Sequence, residues 1–536
     1  MADIYYHGTL GSNSTGNGSQ SNPYQYPISS HGAVGDRYLL RRGVLHMCAN
    51  NYGWTPKMGL PGGATTRVGA WGEAQIPHAI IDNNHANGPT MNIGANATNR
   101  AELVIEDLWA LASANPSYPF YLHSQAGALE NITLRRCKAT GTLGKATAKS
   151  GFIIAADNWE TITNRNILLE DCEAHDNPEH GIIWTDTTVG IARRCKTSNN
   201  GLETGAHGIS SFKKRFNVTS GWANVPATNI WYVSTSGNIS LTTTDISALV
   251  IISGATSGTY PRFVKNTSTP TTPGAGEFGY DMANRVLYVN LNGASPNGQT
   301  LNYAAGTHTG IRFEFCDSWA NRAWLGYTYH EGHGFALDDF TGESFIIGCR
   351  AWDNEGNGIS LNRGDNNTVS GNVIWNNWWP AISISRGKNC RIVNNVSWGN
   401  NRAASHGSFT NFNTSDVYVG AMSTSALVQN NVLLTVARDY GLLVDASSAS
   451  GSSAVSNYLS GAVARASGIT ETSPVTTDPA PWMNDDGSLK TTIPIGGIPM
   501  PNPLRNAGTY VQGVTLRNGR TQPGMTPIGA YQVGRY

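Results

Sequence analysis

One six-residue pattern constrains this chain more than any other feature: Cys or Asn first, a small or apolar residue third, His, Ser or Trp fourth, and Asn sixth. It occurs as Cys172-Glu173-Ala174-His175-Asp176-Asn177, Cys195-Lys196-Thr197-Ser198-Asn199-Asn200, Cys316-Asp317-Ser318-Trp319-Ala320-Asn321, Cys349-Arg350-Ala351-Trp352-Asp353-Asn354, Asn372-Val373-Ile374-Trp375-Asn376-Asn377 and Asn395-Val396-Ser397-Trp398-Gly399-Asn400, with a weaker copy from Cys137. Most copies start 23 residues after the last, and one starts 33 after, the length of a solenoid coil. A unit this short cannot bury its apolar face alone, so coils must stack. A second run begins with Gly: Gly181-Ile182-Ile183-Trp184, Gly208-Ile209-Ser210-Ser211, Gly334-Phe335-Ala336-Leu337 and Gly358-Ile359-Ser360-Leu361, with Ala381-Ile382-Ser383-Ile384 as a variant. Each coil therefore carries several short strands, and equivalent residues of successive coils are expected about 4.8 Å apart. Stacking turns the first position into an internal column and the sixth into a ladder of Asn amides that satisfy one another.

Composition agrees: 61 Gly and only 13% charged residues suit strands and tight turns rather than helices. The predicted fold is all-β, a right-handed parallel β-helix. Net charge is zero, so no global field draws the chain to nucleic acid or to a membrane surface. No eighteen-residue apolar run occurs, and Met1-Ala2-Asp3-Ile4-Tyr5-Tyr6-His7 lacks a basic-then-apolar leader, so neither membrane insertion nor a signal peptide is expected. The seven cysteines form no CxxC pair and read as reduced core residues. No metal or cofactor is expected.

The jump between the copies at Cys195 and Cys316 marks an insertion. Ile230-Trp231-Tyr232-Val233, Ala248-Leu249-Val250-Ile251-Ile252 and Arg285-Val286-Leu287-Tyr288-Val289-Asn290-Leu291 read as antiparallel strands within it. The chain is thus divided into a cap and first coils (1–130), coils (131–216), a small inserted antiparallel β module (217–306), coils with a groove (307–445) and a carboxy-terminal return and cap (446–536).

With the coil pattern, Gly35-Asp36-Arg37-Tyr38-Leu39-Leu40-Arg41-Arg42-Gly43, Arg67-Val68-Gly69-Ala70-Trp71-Gly72 and Ile528-Gly529-Ala530-Tyr531 resemble the caps of the pectin-lyase-like superfamily of right-handed β-helices. That superfamily includes polysaccharide lyases, glycoside hydrolases and phage tailspike depolymerases. Gly334-Phe335-Ala336 with Gly348-Cys349-Arg350-Ala351-Trp352-Asp353-Asn354 is similar to a stretch of family 9 pectate lyases. The acidic calcium-binding positions of that family are here Gly356, Asn357 and His333, which argues against calcium-dependent pectate cleavage. A low-charge β-helix with an inserted module looks most like a phage tailspike. This resemblance implies a homotrimer on a virion tail or baseplate that cleaves capsule or O-antigen at the bacterial cell surface, with a secreted bacterial enzyme as the alternative.

Candidate chemistry comes from comparing columns. Five residues beyond each strand-starting Gly, or its Ala equivalent, stand Asp186, Lys213, Asp339, Arg363 and Arg386, expected on an outer face because burying such charges is costly. A solvent ladder of ion pairs explains the column equally well. The densest local set is Tyr327, Tyr329, His330, Glu331, His333, Asp338 and Asp339. Glycoside hydrolysis needs two carboxyl groups, one protonated and one ionised. Glu331 with Asp338 or Asp339 would suit inversion and Glu331 with Glu355 retention; the tailspike resemblance favours inversion. Asp338 and Asp339 also fit ordinary turn chemistry. Tyr329, His333, Trp352, Trp375, Lys213, Arg363 and Arg386 are candidate substrate-binding residues, with the Trp column offering ring faces to sugars or an aromatic stack beneath loops. A lyase using Lys213, Arg363 or Tyr329 as base and a non-catalytic adhesin are the competing readings.

Overall fold

A chain with one bend-forming residue at each corner can wind into a coil, and this one does so repeatedly. The computed structural model describes residues 1–501, except 113–117, 142–149, 157–163, 235–245, 254–262, 323–331, 403–414, 435–439, 460–468, 473–491 and shorter stretches. A typical coil passes through Phe345–Ile347, Arg350–Trp352 and Ile359–Asn362. Its three corners turn on Gly348, Asp353 and Arg363, all left-handed with φ of 63°, 52° and 60°. Asp176, Asn199 and Asn376 bend equivalent corners, consistent with the tolerance of Asp and Asn for that conformation.

Among the described residues, coil upon coil builds three parallel sheets: sheet A with 14 strands, from Asp3–Tyr6 to Glu471–Thr472; sheet B with 12, from Leu45–Met47 to Tyr458–Leu459; and sheet C with 10, from Met91–Ala95 to Tyr440–Val444. The six-residue pattern forms sheet B and its corners, and the Gly-led runs form sheet C. Gly334 is demanded by space: a Cβ there would stand 2.7 Å from the Gly358 carbonyl oxygen of the next coil.

The first column switches from Cys to Asn after Cys349, and one reason lets either residue serve. Cys316 N–H donates to the Cys349 thiol at 3.4 Å, and Cys349 N–H donates to Asn372 Oδ1 at 2.8 Å, so thiol and amide both receive the corner N–H of the preceding coil. The sixth column is an unbroken amide ladder, Asn177 to Asn200, Asn321, Asn354, Asn377 and Asn400, with Nδ2–Oδ1 distances of 2.9, 3.0, 2.8, 2.9 and 2.9 Å. All seven cysteines are buried thiols outside any disulfide, as the sequence implied.

The insertion has its own core around Trp222, Phe278, Leu287, Val289 and Tyr303. Phe216–Val218, Thr300–Ala305 and Ile246–Ser253 form one antiparallel sheet; Ile230–Ser234, Val286–Asn290 and Glu277–Asp281 form the antiparallel heart of another. Phe212 pairs with Asp338 and Thr309 bridges Gly342, so the segment between Lys213 and His308 replaces the single residue Phe340 of the next coil's corner. The carboxy-terminal motif at Ile528 lies outside the described residues.

Candidate functional site on the outer face of sheet C

Alternation along sheet C decides what faces outward. In Phe335–Asp338, Phe335 and Leu337 enter the core, while Ala336 and Asp338 point away from it. The second strand position is small in successive coils, Ser210, Ala336, Ser360 and Ser383. Ala336 is nonetheless fully buried, so other groups cover it from outside.

The residue before each strand Gly supplies part of that cover. His207 N–H donates to His180 Nδ1 at 3.2 Å, His333 N–H to His207 Nδ1 at 3.3 Å, and Asn357 N–H to His333 Nδ1 at 2.9 Å. Each backbone donor makes Nδ1 an acceptor, which leaves the proton of the neutral ring on Nε2. The His207 and His333 rings stack at 4.7 Å and 6°. Burial first, then His333 and His180, hold His207 well below the usual histidine range. Its Nε2 stands 3.5 Å from Asp338 Oδ2. A neutral imidazole therefore presents its N–H to a carboxylate, a pair able to take up and return a proton on a bound substrate.

The other expected site residues have separate fates. Tyr329 and Glu331, with Tyr327 and His330, lie outside the described residues. Asp339 is ion-paired with Arg363, and Glu355 with Arg322 at 2.5 Å. Lys213 departs from the expected outer placement: it is 1% exposed and lies 2.5 Å from the equally buried Asp186. Mutual neutralisation is what permits two charges inside the solenoid. Arg386 is half-buried, and burial followed by repulsion from Arg363 lowers its pKa. Trp319, Trp352, Trp375 and Trp398 stack with centroids 4.9, 4.8 and 5.3 Å apart and planes within 6°. Rings so stacked cover one another's faces, so Trp352 and Trp375 turn edges, rather than the expected sugar-binding faces, outward.

The residue pattern also carried His180 and His207, which the candidate set lacks. The signal was present, since His precedes the strand Gly in three coils, but the column comparison began after that Gly. No group of three or more His, Cys, Asp or Glu among the described residues is placed to hold a metal ion. No helix among them is long and apolar enough to cross a membrane. A polar cavity of about 430 Å³ lies elsewhere, beside Arg42, Asp107, Arg136 and Asp171. Arg42 and Arg136 both pair with Asp107, and Asp171 pairs with Arg194, so the cavity offers less chemistry than the histidine face.

A family model described as a right handed beta helix region matches residues 302–433. The chain is a right-handed β-helix. Among solved structures, this β-helix is similar to the A-module of the Azotobacter vinelandii mannuronan C-5 epimerase AlgE6, at 13% identity over 83% of this chain and 91% of that one, with a TM-score of 0.45. It is similar to pectate lyase Pel9A at 13% identity over 99% and 96% of the two chains, TM-score 0.43. The Dettilon tailspike protein gp208 is 13% identical over 82% of this β-helix and 62% of that chain, TM-score 0.42. No curated protein matches. These likenesses concern the fold alone, and a fold hosts many reactions.

Proposed function

We propose that this β-helix binds a bacterial surface polysaccharide along the outer face of sheet C and cleaves it by β-elimination, with Asp338 and His207 handling the proton. The observation that carries this reading is the His207–Asp338 contact on a face whose neighbouring carboxylate, Asp339, is tied to Arg363. Inverting hydrolysis requires a second carboxyl group that can hold a proton. Among the described carboxylates, Asp339 and Glu355 are each engaged by a guanidinium and fill that role poorly, while Glu331 lies outside the described residues. Elimination needs one base to remove the proton beside a uronate carboxylate. The electron pair of that C–H bond becomes the new double bond as the glycosidic oxygen leaves and takes up a proton.

Carriage on a phage tail or baseplate as a homotrimer belongs to the same proposal and is supported by the sequence resemblance to tailspikes. Light-scattering mass of the purified chain tests the trimer. The chemistry is tested by digesting a panel of capsules and O-antigens while following chain length, reducing ends and ultraviolet absorbance of an unsaturated uronate. Absorbance that disappears in Asp338→Asn is expected. New reducing ends without absorbance would make the protein a hydrolase, and binding without shortening would make it an adhesin.

A further inference from the structure

Charged columns run along this solenoid, and two of them alternate in sign without a break. On sheet A, Glu106, Arg135, Glu170, Arg193 and Glu314 occupy successive coils, linked at 2.9, 2.9, 3.9 and 2.9 Å. Beside them, Arg136 bridges to Asp107 at 2.6 Å and Arg194 to Asp171 at 2.7 Å. The column at the exit of sheet C starts by the same rule, with Asp186 paired to Lys213 and Asp339 to Arg363. Its next member is Arg386, a second cation in succession. Ser385 pairs with Gly420, so the following position in sequence is the uncharged Ala421.

Arg386 is thus left over. Among the described residues it makes no ion pair, although it is half-buried and the Arg363 guanidinium stands close enough to disfavour its charge. On the adjacent coil, the buried Asn362 Oδ1 receives no hydrogen bond from the described residues. Asn362 pairs in register with Ser385, the residue before Arg386, so a donor fork without an anion and a buried acceptor without a donor stand on neighbouring coils at the exit of sheet C. The guanidinium matches a carboxylate with two parallel hydrogen bonds, and the amide oxygen matches a sugar hydroxyl.

We propose that Arg386 and Asn362 form a subsite for the carboxylate and a hydroxyl of an acidic sugar, with Asn362 one coil and Arg386 two coils from Asp338. The inference rests on the reading of sheet C as the glycan-binding face. It makes the substrate a polymer bearing acidic sugars beyond the cleaved linkage, and it makes Arg386 a binding residue rather than a catalytic one. An acid bound here would restore the alternation that the chain itself breaks.

The test uses the full chain as Asp338→Asn, so that binding is read without cleavage. Its probes are a glucuronate-containing capsular polysaccharide and the same polymer after chemical reduction of its carboxyl groups. Expected are a preference of about tenfold or more for the intact polymer, weakened by salt, and its loss in Arg386→Gln with partial retention in Arg386→Lys. Equal affinity for the two polymers, or a preference that survives Arg386→Gln, overturns the subsite while leaving the glycan-binding face standing. Failure to bind any member of a panel of acidic and neutral bacterial polysaccharides overturns both. Circular dichroism and the thermal midpoint of each variant separate lost binding from lost folding.

Discussion

Asn354 sits in the middle of the amide ladder, accepting from Asn321 Nδ2 at 2.8 Å and donating to Asn377 Oδ1 at 2.9 Å. Asn354→Ala strands both neighbours in a buried column. It is expected to cost about 1–3 kcal/mol, read as a lower urea midpoint with an unchanged slope. The buried Lys213–Asp186 pair should respond differently. Lys213→Met takes the paired cation from a buried carboxylate and is expected to destabilise by about 3–5 kcal/mol, whereas adding Asp186→Asn should recover part of that loss. A double-mutant cycle in urea checks it; independent, additive losses would show that the charges do not interact.

At the scale of the element, the Trp stack and the insertion carry the expectations. Trp375 lies between two parallel rings, so Trp375→Ala removes two stacked contacts and should lower stability by about 1–3 kcal/mol. Because its faces are already covered, polysaccharide affinity should change less than twofold; a tenfold loss in affinity titration would return the Trp column to the binding site. The insertion replaces one corner residue, so replacing residues 214–307 with a short Gly-containing turn should leave the β-helix folded, with the parallel-sheet circular dichroism retained. The solenoid on either side is already in register across the junction, with Arg193 bridged to Glu314 at 2.9 Å.

Over the whole molecule, buried histidines make the fold acid-sensitive. His308 is 2% exposed, with Nδ1 2.9 Å from the Thr187 backbone nitrogen and Nε2 2.7 Å from the Ser211 hydroxyl. Burial, then Lys213, pushes it down to about 3 from the usual 6.5. The unfolded chain therefore binds more protons between those limits, so this contribution is fully present above pH 6.5, falls as pH drops, and stops falling near 3. His207, also depressed, adds to the same loss. The thermal midpoint should decline from pH 6.5 toward 4.5, before carboxylates protonate, and His308→Gln should flatten the decline. An unchanged slope in that variant would remove His308 from the explanation.

Coil length, the two ladders and the Gly-led strands were legible in the sequence because a solenoid repeats one local environment, and local chemistry is what a sequence spells out. Asp186, Lys213, Asp339, Arg363 and Arg386 were likewise recognisable as a column. Whether each charge meets water, a partner or neither depends on the sign of the residue one coil away and on what covers it. Tertiary structure alone put Lys213 inside, tied Asp339 to Arg363, turned the Trp faces onto one another and laid His207 against Asp338. Those contacts join residues 23 to 131 positions apart, and side-chain reach across coils, rather than any periodicity, brings them together.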